Sequence, residues 1–538
     1  MSNGEVRTWQ EVELELTAAA EYANPYTDVE VWADFTHEDG TTLRRPAFWD
    51  GGSSWKLRFA SPGLAGRWSW SSGCSVNDDG LARASGSFVI RPTSDSPASA
   101  GGDGAPASVG AAAPGGTNRF YEHGFWRMSP GRRSLIHADG YPAILAGDTV
   151  WSLPWRATPE QVTEYAKDRR AKGFNAALLM SIQPDRRVRG PRERGRDEGF
   201  DVGFEDLPDG HINELNPAYF QYVDTLIDIL VAHEIVPVWQ PVFFGFGWKG
   251  GGVAGPVLPE EEYARFCRYL VARYGARPAI YLVGGDGSGY EPQVAAGGEE
   301  VERWDAYEQP TGIHYRPHAD NRASQDADWL DFQWCQTGHT GEHLPERLAD
   351  MWRNTPVKAI ANGEPTYENG VEQGRGAGWW QGHEAWSNLC AGGTMGVVYG
   401  AGSLWQWRYH ADEPGHAEYF LARGAGWREA IDFEGSTYVG LLAKILEGLP
   451  TTDIEPNWDQ AISRRGLLHP GKLAIFYLSN GRELTILGDQ VPRKYRIVDP
   501  RTGETVRTGE RTAPKDAATI EDRLVETGDG PRVVIFHE

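Results

Sequence analysis

The chain has 538 residues, too many for one ordinary domain, and two to four domains are the expectation. Its hydrophobic fraction of 40% and charged fraction of 24% are those of a soluble globular protein. A formal net charge of -23 argues against a sequence-blind grip on nucleic acid, which needs clustered Lys and Arg, and disfavours an anionic membrane surface. The first residues, MSNGEVRTWQEVELEL, lack the basic start and apolar run of a secretory signal, and no stretch reaches the length of a membrane-spanning helix. Cys74, Cys267, Cys335 and Cys390 lie far apart with no C-x-x-C pair, so neither a zinc knuckle nor a disulfide framework is indicated. Reduced thiols and the missing signal lead to a cytoplasmic expectation. The 22 Trp and 21 Tyr are numerous, and many sit at predicted strand ends, where a flat apolar face suits the C–H face of a sugar.

Residues 1–95 read as an N-terminal β-sandwich. Val12–Leu16, Val29–Phe35 and Trp55–Phe59 alternate apolar and polar residues, and Gly66–Trp70 and Ser87–Ile90 supply further strands. Residues 96–117 are Pro, Gly, Ser and Ala with little that packs, which predicts a linker or surface loop. Over 118–449 the rhythm becomes strand, helix, strand, helix. Thr158 predicts an N-cap, with Pro159 at the first helical position, Gln161 completing a capping box and Gly173 as the stop. Asn216-Pro217 opens a second helix, with Phe220, Val223, Ile227, Leu230 and Val231 on one face. Pro259 opens a third, whose acidic first turn suits the helix dipole and whose Cys267 falls in the buried stripe.

Eight short apolar runs lie among these helices: Ala143–Ala146, Ala176–Met180, Ile235–Trp239, Ala279–Val283, Gly312–Tyr315, Phe332–Trp334, Val357–Ala361 and Met395–Tyr399. That count is what a (β/α)₈ barrel (TIM barrel) of the α/β class needs. Pro237 sits badly in a central strand because it donates no hydrogen bond, and an open doubly wound sheet is the alternative. Residues 450–538 return to strands, at Leu473–Leu478, Leu484–Leu487, Tyr495–Val498 and Val533–Phe536, and read as a C-terminal β-sandwich.

In such a barrel the residues just past each strand's C-terminal end face the active site. Here they include Asp148 and Trp151, Gln240, Asp286, Trp334 and His339, Glu364, Tyr399 and Trp405. Acids, amides and indoles at one rim suit a neutral polyhydroxylated ligand, and no Lys or Arg cluster suits a phosphate. Retaining hydrolysis of a glycosidic bond needs one carboxyl as acid/base and another as nucleophile, about 5 Å apart. Asp286 and Glu364 follow the fourth and seventh apolar runs, across the mouth from one another, and Gly stands before each. They are the candidate catalytic pair. His314 and His318 find no carboxylate-rich ligand set in the sequence, so a surface or hydrogen-bonding role is expected for both, with no metal and no cofactor.

At these residues the chain resembles the apiosidase-like barrels, glycoside hydrolase family 140 and its relatives. The stretches that carry the resemblance are GDTVWSL (147–153), the Gly-Phe-Asn strand start (173–175), YLVGGD (281–286), ANGEPTYE (361–368) and GVVYGAGSLWQW (396–407), and they span the whole barrel. The resemblance implies a retaining mechanism with Asp286 as acid/base and Glu364 as nucleophile. It also implies that Asp148, Trp151, Tyr399 and Trp405 are substrate-pocket residues, and Tyr367 of the fourth stretch joins Gln240, Trp334 and His339 as a substrate-binding candidate. Residues 184–211 and 287–310 do not align with the family pattern, so its apiose specificity is not carried over.

The expectation is therefore a retaining exo-glycosidase whose partner is a carbohydrate, an oligosaccharide or small glycoside, rather than nucleic acid or membrane. The alternatives are a non-catalytic carbohydrate-binding barrel and a metal-dependent barrel hydrolase.

Overall fold

The computed structural model describes residues 6–93, 118–186, 202–245, 252–337, 345–370, 376–410, 425–458, 465–481, 484–486, 490–511, 522–524 and 528–538. Its centre is an eight-stranded, wholly parallel sheet. The strands are β1 (Leu145–Thr149), β2 (Ala176–Met180), β3 (Val236–Gln240), β4 (Ile280–Gly287), β5 (Thr311–Tyr315), β6 (Phe332–Gln336), β7 (Ala359–Glu364) and β8 (Gly396–Tyr399). They are hydrogen-bonded in the order β7-β6-β5-β4-β3-β2-β1-β8, and the two end strands lie side by side, which makes the sheet a nearly closed barrel. The doubly wound alternative is thereby excluded.

Helices α1 (Pro159–Lys172), α2 (Pro217–Ala232), α3 (Glu260–Tyr274), α4 (Pro292–Trp304), α5 (Pro345–Met351), α6 (Trp379–Cys390) and α7 (Glu434–Leu446) follow the strands. The link from β5 to β6, residues 316–331, crosses without a helix. The predicted start of α1 is present: the Thr158 hydroxyl accepts from the Gln161 N–H at 3.4 Å, the Gln161 side chain accepts from the Thr158 N–H at 3.2 Å, and Gly173 ends the helix at φ 112°. Apolar residues spaced three and four apart put Phe220, Val223, Ile227, Leu230 and Val231 on the buried side of α2, and Cys267 is buried in α3.

Pro237 does occupy a central strand, opposite Ala177 of β2. Val236 directs its N–H toward β2, donating to Asn175 O, so the donor missing from Pro237 would point to the other side. There β4 begins only opposite Val238, so no ladder bond is lost.

Seven strands at the N-terminus form a three-stranded and a four-stranded antiparallel sheet around Leu16, Phe35, Trp55, Phe59 and Trp68. Two of them, Thr42–Pro46 and Phe48–Gly51, were not evident from alternation. This sandwich is bolted to the barrel through buried guanidinium groups. Arg45 donates to Val271 O at 2.8 Å. Arg58 reaches Asp224 on α2 at 2.7 Å, and Arg273 on α3 reaches Asp224 at 2.8 Å and Asp50 of the sandwich at 2.9 Å.

At the other end, a six-stranded antiparallel sheet with a two-stranded one beside it covers a core of Phe476, Ile497 and Phe536. It rests on α6 and α7: His383 Nδ1 lies 2.8 Å from the Tyr477 hydroxyl, and Arg496 donates to Ile445 O at 2.8 Å. A small antiparallel sheet over Trp126–Ala143 caps the barrel's N-terminal end, where Arg132 reaches Asp331 just ahead of β6 at 3.0 Å and Thr394 just ahead of β8 donates to Arg133 O at 2.7 Å. Among the described residues no helix is long and apolar enough to cross a membrane, and all four cysteines are free thiols.

Candidate active site

Most barrel strands extend past the apolar run that predicts them, and the added residues are polar: Gln240 on β3, Asp286 on β4, Gln336 on β6 and Glu364 on β7. A regular strand would turn alternate side chains to opposite faces, so aiming an acid at its neighbours calls for a local irregularity. Both acids have one. On β4 the pairing steps from Gly285 to Gly287 against β5, leaving Asp286 out of register at φ 56°. On β7 it steps from Asn362 to Glu364 against β6, leaving out Gly363. Each is a bulge of the kind that redirects a side chain, and Asp is one of the few residues that tolerates the left-handed backbone.

The glycines before the acids have a packing cause. A Cβ on Gly285 would lie 2.0 Å from the Gln240 amide carbon, and a Cβ on Gly363 would lie 2.8 Å from both the His314 ring and the Trp334 ring. Neighbouring side chains occupy the space, and only hydrogen fits.

These features bring Asp286 and Glu364 together. One oxygen of each carboxylate and a nitrogen of His314 all lie within 4.8 Å of one another. Gln336 Nε2 donates to Asp286 Oδ1 at 3.0 Å and also to Glu364 Oε2. His314, fully buried on β5, places Nδ1 3.2 Å from Asp286 Oδ1 and Nε2 3.4 Å from Glu364 Oε2. Two ionised carboxylates at that separation repel by about 3–4 kcal/mol at an effective dielectric of ~20. One hydrogen bond to a charged group returns about 1.5–3 kcal/mol, so the two that Gln336 donates are of the size needed to offset the repulsion. Burial alone would lower the His314 pKa; the contact with Asp286 and the charges of Asp286 and Glu364 outweigh it, and the ring is held above the usual histidine value.

Of the surface or hydrogen-bonding role expected for His314, the surface alternative is excluded, and so is the absence of carboxylates around it. Strand β5 lies between β4 and β7 on the same wall and turns the ring inward. His314, Asp286 and Glu364 have the residue types of a metal site, but the Gln336 amide already directs its N–H groups at both carboxylates. A cation there would face those donors, and the arrangement fits a hydrogen-bonded acid pair.

The remaining candidates divide. Trp151 and Tyr367 belong with the pair: the Trp151 indole meets the His314 ring edge-on at 5.6 Å and donates to the Tyr367 hydroxyl at 3.1 Å. Burial, then the charge of Glu364 and a hydrogen bond to it, push the Tyr367 phenol well above its ordinary pKa. Gln240 lies against Gly285, beside Asp286. Trp334 is fully buried against Gly363 and donates to the Met395 sulfur at 3.2 Å, so it packs beneath the acids. Trp405 is buried on the short helix Gly402–Trp405, whose end accepts from the Ser152 N–H at 3.0 Å. His339 lies outside the described residues.

Asp148 and Tyr399 are corrections. Paired across β1 and β8, they face the helix layer rather than the mouth. Asp148 accepts from Arg169 at 2.5 Å and from Tyr165 at 3.2 Å, both on α1, while the Tyr399 hydroxyl donates to Glu368 at 2.7 Å. Asp148 Oδ2 and the Tyr399 hydroxyl are thus engaged away from the mouth. Gln336, which sequence reasoning passed over, carried one signal: it overruns an apolar strand at the same rim.

A family model for the apiosidase-like catalytic domain matches residues 129–453, more than half of the chain, and a model for a domain of unknown function matches residues 5–75. No curated protein matches the chain. Among solved structures, a Bacteroides vulgatus protein assigned as a glycoside hydrolase superposes with a TM-score of 0.70 at 16% identity, covering 99% of this chain and 100% of that one. A glycoside hydrolase family 5 protein from the same organism gives 0.63 at 19% identity, covering 78% of this chain and 94% of its own. A further glycoside hydrolase gives 0.62 at 16%, covering 78% and 98%. At such identities the likeness is one of fold.

Proposed function

The chain belongs to the family of apiosidase-like catalytic domains, and from that premise we propose that it is a retaining exo-glycosidase acting on an oligosaccharide or small glycoside. The observation that carries the reading is the approach of the Asp286 and Glu364 carboxylates to within 4.8 Å. Retaining enzymes hold their carboxyls about 5–5.5 Å apart, whereas inverting ones leave about 6.5–9.5 Å for a water molecule.

In the first step Glu364 attacks the anomeric carbon while Asp286, protonated, gives its proton to the departing glycosidic oxygen. The C–O bond breaks and a glycosyl ester of Glu364 forms. In the second step Asp286, now a carboxylate, takes a proton from water as the water oxygen attacks the same carbon. Glu364 is released and the configuration is restored. Gln336 holds both carboxylates, the Tyr367 phenol steadies Glu364, and the Trp151 indole orients that phenol. The aromatic side chains beside the pair, Trp151 and Tyr367, are of the type that packs on a sugar ring.

The test is Glu364→Gln, assayed on a panel of aryl pentosides and hexosides. The expected result is an intact fold with less than about a thousandth of the wild-type kcat. Azide should restore turnover to Glu364→Gly and yield a glycosyl azide. Residual activity well above that level, with no rescue, overturns the assignment. Addition of a chelator should leave the wild-type rate unchanged. A loss restored by a divalent ion would favour the metal-dependent reading that the grouping of His314 with two acids otherwise invites.

A further inference from the structure

We propose that His314 is the positioning residue that gives the two carboxylates their different roles, by donating through Nε2–H to Glu364 and sharing a proton at Nδ1 with Asp286. The inference rests on the glycosidase reading above.

The geometry carries it. One ring, fully buried, brings one nitrogen near each carboxylate, 3.2 Å from Asp286 and 3.4 Å from Glu364, and neither contact is an aligned hydrogen bond in this resting arrangement. A neutral imidazole has one N–H and one lone pair, so it can donate to only one of the two. Against the other its lone pair would meet a carboxylate lone pair, unless a proton lies between them. A single proton on that side resolves the contact, whether drawn on Asp286 or on the ring.

The arrangement is asymmetric and matches the chemistry. Glu364 is held by Gln336 and by the Tyr367 phenol, and His314 Nε2 is 3.4 Å from it. Asp286 keeps access to a proton. Isolated aspartic acid has a pKa of about 3.9 and would be deprotonated at neutral pH, a poor general acid. The described groups facing the ring are Asp286 from β4, Glu364 and the Gly363 backbone from β7, and the indole of Trp151. The two acids are the only charged groups among them. The raised His314 pKa is in keeping with a proton held on this unit. In the cycle the unit delivers that proton through Asp286 to the leaving oxygen and regains it from the attacking water. No proton is left over.

A role in the acid step separates from a merely structural one by leaving group. The probes are the 2,4-dinitrophenyl and methyl glycosides of whichever sugar the wild-type chain hydrolyses. His314→Ala should lower kcat/KM on the methyl glycoside by at least a hundredfold and on the dinitrophenyl glycoside by less than tenfold, since that leaving group needs no proton. The basic limb of its pH profile should move to lower pH, because Asp286 alone releases its proton sooner. His314→Gln, whose amide can reproduce the Nε2 donor but not the Nδ1 contact, should show the same split. Equal losses on both probes, or an unmoved basic limb, overturn the proposal.

If the variants do not fold, nitrogen-15 shifts of the His314 ring in the wild-type chain decide it: a protonated Nε2 supports the proposal, and an unprotonated one overturns it. A chain that hydrolyses no glycoside, or one in which Glu364→Gln remains active, instead sinks the underlying glycosidase reading.

Discussion

The Gly-acid pairs are where residue chemistry and backbone geometry meet. Glycine at 285 and 363 leaves room for Gln240, His314 and Trp334, and the following acid is redirected by a bulge. Gly363→Ala should therefore act on activity before stability. The added methyl meets two buried rings at 2.8 Å, so His314 must shift, and with it the spacing of the carboxylates. Overpacking of this kind costs about 1–3 kcal/mol. We expect kcat to fall by more than tenfold while circular dichroism and thermal melting show a folded barrel. Unchanged kcat would separate the glycine from the site. His314 and Gln336 were harder to foresee than the acids, because an amide or imidazole at a strand end is ordinary until its neighbours across the barrel are known.

For single elements the sequence was most legible where local chemistry decides the outcome. Thr158, Pro159, Gln161 and Gly173 specify α1 through contacts within a few residues, and the helix has those bounds. Thr158→Ala removes the cap and should cost about 1 kcal/mol, read as a fall of roughly 1–2 °C in barrel Tm. No change would mean that packing alone holds the helix start. Strand ends were less legible. Apolar runs predicted β4 to Val283 and β7 to Ala361, yet the strands continue to Gly287 and Glu364. The continuation is polar because it forms the mouth, so the signal that marks a core strand stops where the site begins. Thr42–Pro46 escaped for a similar reason, since Arg44 and Arg45 break the expected alternation. Arg45 is nevertheless fully buried, its charge directed into carbonyl oxygens of α3 and α4.

Across the whole molecule, a charged seam runs through the apolar contact of sandwich and barrel, in which Tyr26 and Phe48 pack on Tyr269. Arg58 and Arg273 converge on Asp224, and their charges, offsetting the penalty of burial, hold its carboxyl down to about 2. A depressed acid stabilises the fold above its unfolded value of 3.8, and that contribution is lost as pH falls toward 2. The seam should therefore loosen between about pH 4 and pH 2. Asp224→Asn removes the carboxylate that both guanidinium groups share, while Arg58 keeps Glu13 and Arg273 keeps Asp50, and it should cost about 1–3 kcal/mol at neutral pH. It should also flatten the acid dependence, which denaturant melts at pH 7, 4 and 3 would reveal. An acid profile identical to wild type would show that Asp224 does not govern the seam.

Hydrophobic period, caps and strand-end position are properties of consecutive residues, and they made the barrel and its flanking sheets legible and put Asp286 and Glu364 forward as candidate acids. Which polar residues share the mouth follows from strand pairing instead. Asp148 and Asp286 each follow a glycine at the end of an apolar run, yet one turns outward to Arg169 and the other inward to His314. A bulge and a left-handed backbone make that difference, and both depend on how neighbouring strands pair. Pairing between strands distant in sequence leaves no mark in the local alternation of side chains.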